Sequence, residues 1–140
     1  MIKVSCQVSH DPEKGTYGDC LRACIATMLE KPSNDVPHFY HDGCDGNEGN
    51  KRLQEYLKTQ NLIACYQYFE SAPVDEVKQH MKVLNPEVVY LLMGSTATGD
   101  HIVICKNDEV LHNPNWGGQP IIKPTSLGVT VVMVLVSSLF

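Results

Sequence analysis

The chain has 140 residues, 43% of them hydrophobic and 19% charged, a balance that excludes a disordered or collagen-like protein. Acidic side chains outnumber basic ones 16 to 11 for a formal net charge of -5, and no Lys/Arg run is present to follow a phosphate backbone, which argues against nucleic acid as a partner. A domain of this length buries roughly 70% of the surface its unfolded chain exposes, so one domain spanning 1–140 is expected, with no metal, disulfide or cofactor needed to hold it.

Residues 2–8 alternate apolar and polar side chains and predict a short strand. The start Met1-Ile2-Lys3-Val4-Ser5-Cys6 lacks the apolar stretch of a signal peptide, so a cytoplasmic location is expected. Residues 10–18 form a polar loop punctuated by Pro12, Gly15 and Gly18. Leu21, Cys24, Ile25, Met28 and Leu29 then recur at helical spacing, with Asp19 as N-cap and Pro32 just past the end; this predicts a helix that buries one face. Residues 33–49 read as a loop with one short helical turn around Asp35-Val36-Pro37, its 38–49 part a solvated connection rather than a lid. Residues 50–61 read as a second helix facing inward with Leu53, Tyr56 and Leu57, residues 62–69 as a strand, and Ser71 as the cap of a third helix over 73–84.

The remainder is β in pattern: short strands over 88–93, 101–106, 109–112, 121–123 and 129–136, with Asn107-Asp108 a tight hairpin connection. The run 129–135 is almost continuously apolar, but it is short of the roughly 20 residues of a membrane helix and rich in valine. It predicts a strand buried on both faces, and no membrane partner. Helices first and antiparallel strands afterwards indicate an α+β domain with the long first helix packed on the sheet.

Cysteines stand at positions 6, 20, 24, 44, 65 and 105, and in a cytosolic chain they should stay reduced. Cys24 lies in the apolar stripe of the first helix, and Cys65 and Cys105 lie in alternating strands, so these three read as core. Cys20 differs: it stands where the loop Gly15-Thr16-Tyr17-Gly18-Asp19 turns into the helix, where the macrodipole favours a thiolate and lowers a thiol pKa toward neutrality. Alone it reads more readily as a small buried residue; a partner decides.

A thiolate nucleophile needs an imidazole within hydrogen-bond reach and a third group to hold that ring. Of six histidines, His101 opens a strand after the glycine-bearing 94–100 loop, and a turn at Asn107-Asp108 places Val110 to Asn113 beside that strand. The Asn113 amide oxygen is then available to fix the His101 tautomer, with Asn115 as competitor, and Trp116 is expected to cover the pair from water. Singly, His101 reads as a half-exposed strand histidine and Asn113 as a turn residue before proline. His38, His41 and Cys44 share a three-residue spacing, but no CxxC pair accompanies them and no metal site is expected.

The stretches Gly18-Asp19-Cys20-Leu21-Arg22-Ala23-Cys24-Ile25-Ala26-Thr27-Met28-Leu29, Val36-Pro37-His38-Phe39, Gly99-Asp100-His101-Ile102-Val103 and His112-Asn113-Pro114 together resemble the papain-like cysteine peptidase superfamily. The likeness is strongest to small bacterial and phage proteins related to bacteriocin-leader-processing (C39-like) peptidases. The resemblance implies a papain-like fold and a Cys20-His101-Asn113 triad hydrolysing an amide bond in a peptide or protein through a thioester. It also implies a glutamine upstream of the cysteine in the oxyanion hole. Gln7 is the one upstream glutamine, thirteen residues before Cys20; that gap exceeds the usual one, so the intervening loop must bulge out. Tyr17, Gly18 and Asp19 beside the nucleophile, Gly99 and Asp100 of the loop, and Trp116 are expected to line the substrate site. Two alternatives stay open: a catalytically silent papain-like inhibitor or adaptor, and an acyl or glutamyl transferase using the same thioester chemistry.

Overall fold

In the computed structural model residues 2–139 are described. Three α-helices and one five-stranded sheet form the mixed α+β architecture expected from the sequence. The chain divides into two compact units: the described residues up to Ala64 with the returning chain from Val136, and Cys65–Leu135.

The first unit holds α1 (Cys20–Met28), α2 (Gly46–Thr59) and two 3-10 turns at Pro12–Lys14 and Ser33–Asp35. Residues 2–8, expected as a strand, form none, because their amides are taken by α1 side chains. Val4 N–H donates to Thr27 Oγ1 at 2.9 Å, and Gln7 and Val8 N–H each donate to Asp19 Oδ1 at 3.0 Å. Cys6 points inward while Lys3, Ser5 and Gln7 are exposed; an extended segment laid on a helix shows the same period of two as one in a sheet.

Helix α1 is nine residues long and buries Leu21, Ala23, Cys24, Ile25, Ala26 and Thr27. That is most of its circumference rather than the expected single face, since two short alanines carried the second face without an apolar signal. Asp19 holds the N-cap position but makes no side-chain capping bond. The Arg22 guanidinium donates from Nε to the carbonyls of Ser33 (2.9 Å) and Val36 (2.8 Å), fastening the chain that leaves the helix.

Helix α2 is the longest, and it starts four residues ahead of the expected position 50. Asp45 accepts the Glu48 N–H at 2.8 Å, an Asp-x-x-Glu cap masked in the sequence by Gly46, Asn47, Gly49 and Asn50, all weak helix formers. Gly49 is required there because any Cβ would collide with the Tyr40 ring. Leu53 and Leu57 are buried as expected, with Tyr56 partly so.

The second unit contains α3 (Val74–Leu84) and, apart from the first three residues of β1 and the last two of β5, the sheet of β1 (Leu62–Glu70), β2 (Val89–Ser95), β3 (Asp100–Lys106), β4 (Glu109–His112) and β5 (Val129–Ser137), in the order β1-β5-β2-β3-β4. The pairs β2·β3, β2·β5 and β3·β4 are antiparallel. Val74, Val77 and Met81 of α3 form a core with Tyr90, Leu92, Val103, Cys105 and Val132 of the sheet. Leu91, Ile104 and Met133, on the opposite face by alternation, are fully buried too. Thr130 to Met133 are buried consecutively, the both-faces strand that the 129–135 run predicts.

Three expectations are corrected in this unit. Ser71 does not cap α3: it adopts φ 53 and donates its N–H to Gly128 O at 2.9 Å, while Pro73 occupies the cap position. Residues 121–123 are not a strand but a single bridge, with Ser95 N–H donating to Lys123 O at 2.8 Å and Ile122 N–H to Ser95 O at 2.9 Å. Cys65 is exposed rather than core, since β1 is an edge strand whose buried position is Ala64; Cys24 and Cys105 are buried as expected.

Candidate functional site

Cys20 is the first residue of α1 and is partly exposed. The first amides of an α-helix lack intrahelical acceptors, and their aligned dipoles favour an anion at that end. Asp19, expected to face substrate, is instead 1% exposed: its carboxylate accepts Gln7 N–H and Val8 N–H and faces the Arg22 guanidinium at 3.9 Å. The thirteen-residue gap is thereby closed. Gln7 is pinned beside the residue preceding Cys20, and residues 8–18 loop out through the Pro12–Lys14 turn and an Asp11–Thr16 bridge. The Gln7 side chain is exposed and donates from Nε2 to Ser5 O at 3.1 Å.

Tyr17 and Gly18 are set by His10 and His38. His38 Nε2–H donates to Tyr17 O at 2.7 Å, Gly18 N–H donates to His10 Nδ1 at 3.1 Å, and the Tyr17 ring stands edge-on to His10 at 6.1 Å. Gly43, at φ 69, lies against the Tyr17 ring, where a Cβ would strike it. Among the described residues no three His, Cys, Asp or Glu side chains converge to hold a metal.

In the second unit His101 lies on β3 opposite Gly94 and is 7% exposed. Its Nε2 is 2.7 Å from Asn113 Oδ1. The direction of that bond follows from the neighbours of the amide. Asn113 Oδ1 also receives the Asn115 N–H at 3.1 Å, and Asn113 Nδ2 donates to Gln119 O at 2.8 Å. A peptide N–H only donates and a carbonyl only accepts, so the amide cannot be flipped. Oδ1 is the acceptor, His101 carries its proton on Nε2, and the lone pair is on Nδ1. Burial pushes the His101 pKa down; the Asn113 bond opposes this but does not cancel it. The ring is therefore a neutral base of defined tautomer near pH 7.

Asn113 thus holds the position beside His101, and Asn115 contributes only its main-chain N–H. The Asn113–Asn115 bond is an Asx turn, so the turn-residue reading of Asn113 and the ring-holding geometry are true of one side chain at once. Its placement depends on a one-residue register slip between Ile104 and Cys105 opposite β4. Gln119, whose carbonyl locks the amide, gave no signal in the sequence because the contact is set by the course of the 113–121 loop. Beside Asn113 a cleft of about 190 Å³ is lined by Leu92, Val103, Val110, Ile121 and Lys78, room for one aliphatic group.

The 94–100 segment is a tight hairpin turn rather than an open loop. Strands β2 and β3 run to the Ser95–Asp100 pair, and Thr96 N–H closes the turn on Gly99 O at 2.8 Å. Asp100 accepts Ser95 Oγ–H (2.6 Å), Ser126 N–H (2.8 Å) and Ser126 Oγ–H (2.7 Å), so its carboxylate braces two turns rather than awaiting substrate. Burial raises its pKa, but those hydrogen bonds from Ser95 and Ser126 outweigh burial and hold the carboxyl below its ordinary range. Gly99 is an exposed turn residue. Trp116, expected to seal the pair, is 64% exposed and remains a surface group.

The structure therefore brings His101 to Asn113 in one unit and Gln7 to the Asp19–Cys20 junction in the other. No helix among the described residues is long and apolar enough to cross a membrane. Comparison with known protein families, with curated proteins and with solved structures finds no match to this chain.

Proposed function

We propose that the chain is a papain-like cysteine hydrolase that cleaves an amide bond in a peptide or protein, with Cys20 as nucleophile, His101 as base and Asn113 as the residue that holds the base. The observation that carries this reading is the locked amide of Asn113, which leaves Nδ1 of a buried, neutral His101 as its proton-accepting atom. A base must present one nitrogen to one proton, and the bond to Asn113 supplies that condition.

In the proposed reaction His101 Nδ1 takes the Cys20 thiol proton, and the thiolate attacks the carbonyl carbon. The tetrahedral oxyanion is met by main-chain N–H at the start of α1 and by the Gln7 amide, which must leave Ser5 O to reach it. The imidazolium returns its proton from Nδ1 to the leaving amine, and water then resolves the thioester by the same route. A reducing, cytoplasmic setting belongs to this proposal, because the nucleophile acts as a thiolate.

The test needs no substrate. Iodoacetamide alkylation of Cys20 is followed against pH in the native chain and in His101→Ala, with alkylated peptides identified by mass spectrometry. Coupling of the thiol to His101 predicts Cys20 labelling that persists at pH about 6, where an ordinary thiol is slow, and its loss in His101→Ala. Exposed Cys65 supplies the internal reference; Cys20 and Cys65 following the same pH curve in both proteins would remove the hydrolase reading.

A further inference from the structure

We propose that Cys6 is the resolving thiol of Cys20: a hydroperoxide oxidises Cys20, and Cys6 then closes a reversible disulfide over it. The inference rests on the reading of Cys20 as the reactive thiol and adds a redox control to it.

The geometry begins with the bonds that tie residues 2–8 to α1. Val4 N–H ends on Thr27, and Gln7 and Val8 N–H end on Asp19, so the segment runs antiparallel to the helix. Three to four extended residues at ~3.3 Å each span the ~12 Å that eight helical residues rise at ~1.5 Å each, so the two paths stay in step. Position 6 therefore falls beside the first turn of α1. The stripe it faces is Asp19, Ala23 and Thr27, spaced four apart, and Cys20 borders that stripe. Ala23 is fully buried and small, and Cys6 is 8% exposed with its thiol turned inward. The negative charges of Cys20 and Asp19 both reach the Cys6 sulfur and, after burial itself, push its pKa up to about 12.

That environment suits a resolving thiol. Cys6 stays protonated near neutral pH and leaves the first oxidation to the partly exposed Cys20. In that step the Cys20 thiolate attacks the peroxide: the O–O bond breaks, an S–O bond forms, sulfur gives up two electrons, and hydroxide or alkoxide departs. The resulting sulfenic acid is neutral, so the Cys20 charge that helped hold the Cys6 proton is gone. Cys6 then loses its proton and attacks the Cys20 sulfur; the S–S bond forms, the S–O bond breaks, and the Cys6 proton leaves with the hydroxyl as water. A disulfide needs Cα atoms about 5.5–6 Å apart. Residues 2–8 are held by side-chain bonds rather than by a strand ladder, and the proposed disulfide requires that segment to bring position 6 to that spacing. An external thiol reverses the bond and returns Cys20 intact, whereas sulfinic and sulfonic acids do not revert unaided.

The experiment treats the full chain with a small excess of hydrogen peroxide, blocks remaining thiols with N-ethylmaleimide, and maps non-reduced peptides by mass spectrometry. The expected product is the Cys6–Cys20 cross-linked peptide, lost on adding dithiothreitol. In Cys6→Ser and in Cys6→Ala, kept as a second variant because the site is buried, Cys20 should pass to sulfinic and sulfonic acid several-fold faster than in the native chain. Over-oxidation of Cys20 at equal rates with and without Cys6, or a cross-link to any other cysteine, overturns the proposal. If neither variant folds, the native peptide map alone decides. Iodoacetamide labelling run alongside separates the two readings: a reactive Cys20 that forms no disulfide defeats only this one, and a Cys20 inert to both reagents defeats both.

Discussion

His101 Nε2 and Asn113 Oδ1 lie 2.7 Å apart, and the amide is held from its far side by the Gln119 carbonyl and the Asn115 N–H. The ring is thus positioned by a side chain that is itself positioned by main chain, so an error at Asn113 is passed directly to the imidazole.

Replacing that amide tests the relationship. Asn113→Ala deletes the bond that raises the His101 pKa while leaving the burial that lowers it, so the His101 limb of the Cys20 alkylation profile moves to lower pH. The freed ring also loses its tautomer, and turnover on any substrate found falls roughly 10–100-fold, less than the loss in His101→Ala or Cys20→Ala. Asn113→Asp places a carboxylate at the same acceptor and moves the limb to higher pH. Identical profiles in all three proteins would show that Asn113 does not act through the ring.

His101 also makes stability depend on pH. Its folded pKa is depressed from 6.5, mainly by burial, so between the folded value and 6.5 the unfolded chain binds more protons than the folded one. Stability therefore rises with pH through that window and falls as pH drops below 6.5. Urea unfolding between pH about 5 and 8 should show this slope, and His101→Gln, which cannot titrate there, should flatten it. An unchanged slope in the variant would place its source elsewhere.

The parts of this arrangement that could be read from sequence are those set by local rules. The start of α1 at Cys20, the Asn107-Asp108 turn and the strands carrying His101 and Val129–Ser137 follow from side-chain periodicity and turn chemistry over a few residues. What was misread depends on where a polar group finds its partner across the chain. Asp19 looked like a cap, but its carboxylate is drawn to the amides of Gln7 and Val8. Asp100 looked available to substrate, but it is satisfied by Ser95 and Ser126. The alternation of residues 2–8 was real, yet period two does not say whether the neighbour is a strand or a helix. Nor does alternation reveal an edge strand, which is why Cys65 is exposed.

Gly94 couples the His101 strand to the segment that follows the Asn113 loop. It pairs with His101 across β2 and β3, and a Cβ there would strike the Ile121 side chain and come within 2.8 Å of Lys123 O. Backbone cannot yield as a flexible side chain does, so Gly94→Ala should cost about 1–3 kcal/mol, as overpacking does, and displace residues 121–123. Because Ile121 also lines the cleft beside Asn113, the His101 alkylation limb should move as well. A thermal midpoint equal to that of the native chain would mean that the 121–123 crossing is looser than its bonds to Ser95 imply.

Asp19 is the strongest structural commitment in the first unit, because its carboxylate is buried yet serves main-chain amides rather than the helix cap. Asp19→Ala leaves the Gln7 and Val8 N–H groups and the Arg22 guanidinium without that acceptor. At about 1–3 kcal/mol for each group left unsatisfied, the two part-buried amides alone give an expected loss of about 2–6 kcal/mol. Asp19→Asn keeps Oδ1 for both amides but turns an N–H₂ toward Arg22, so it should cost less than alanine and more than nothing. Hydrogen exchange separates the local effect from the global one: in Asp19→Ala the amides of Gln7 and Val8 should exchange nearly as fast as in an unfolded chain while those of Cys24 to Met28 stay protected. If the Gln7 and Val8 amides keep their protection in that variant, Asp19 is not what holds residues 2–8 on α1, and neither the placement of Gln7 beside the Asp19–Cys20 junction nor the proposed approach of Cys6 to Cys20 can be credited to it.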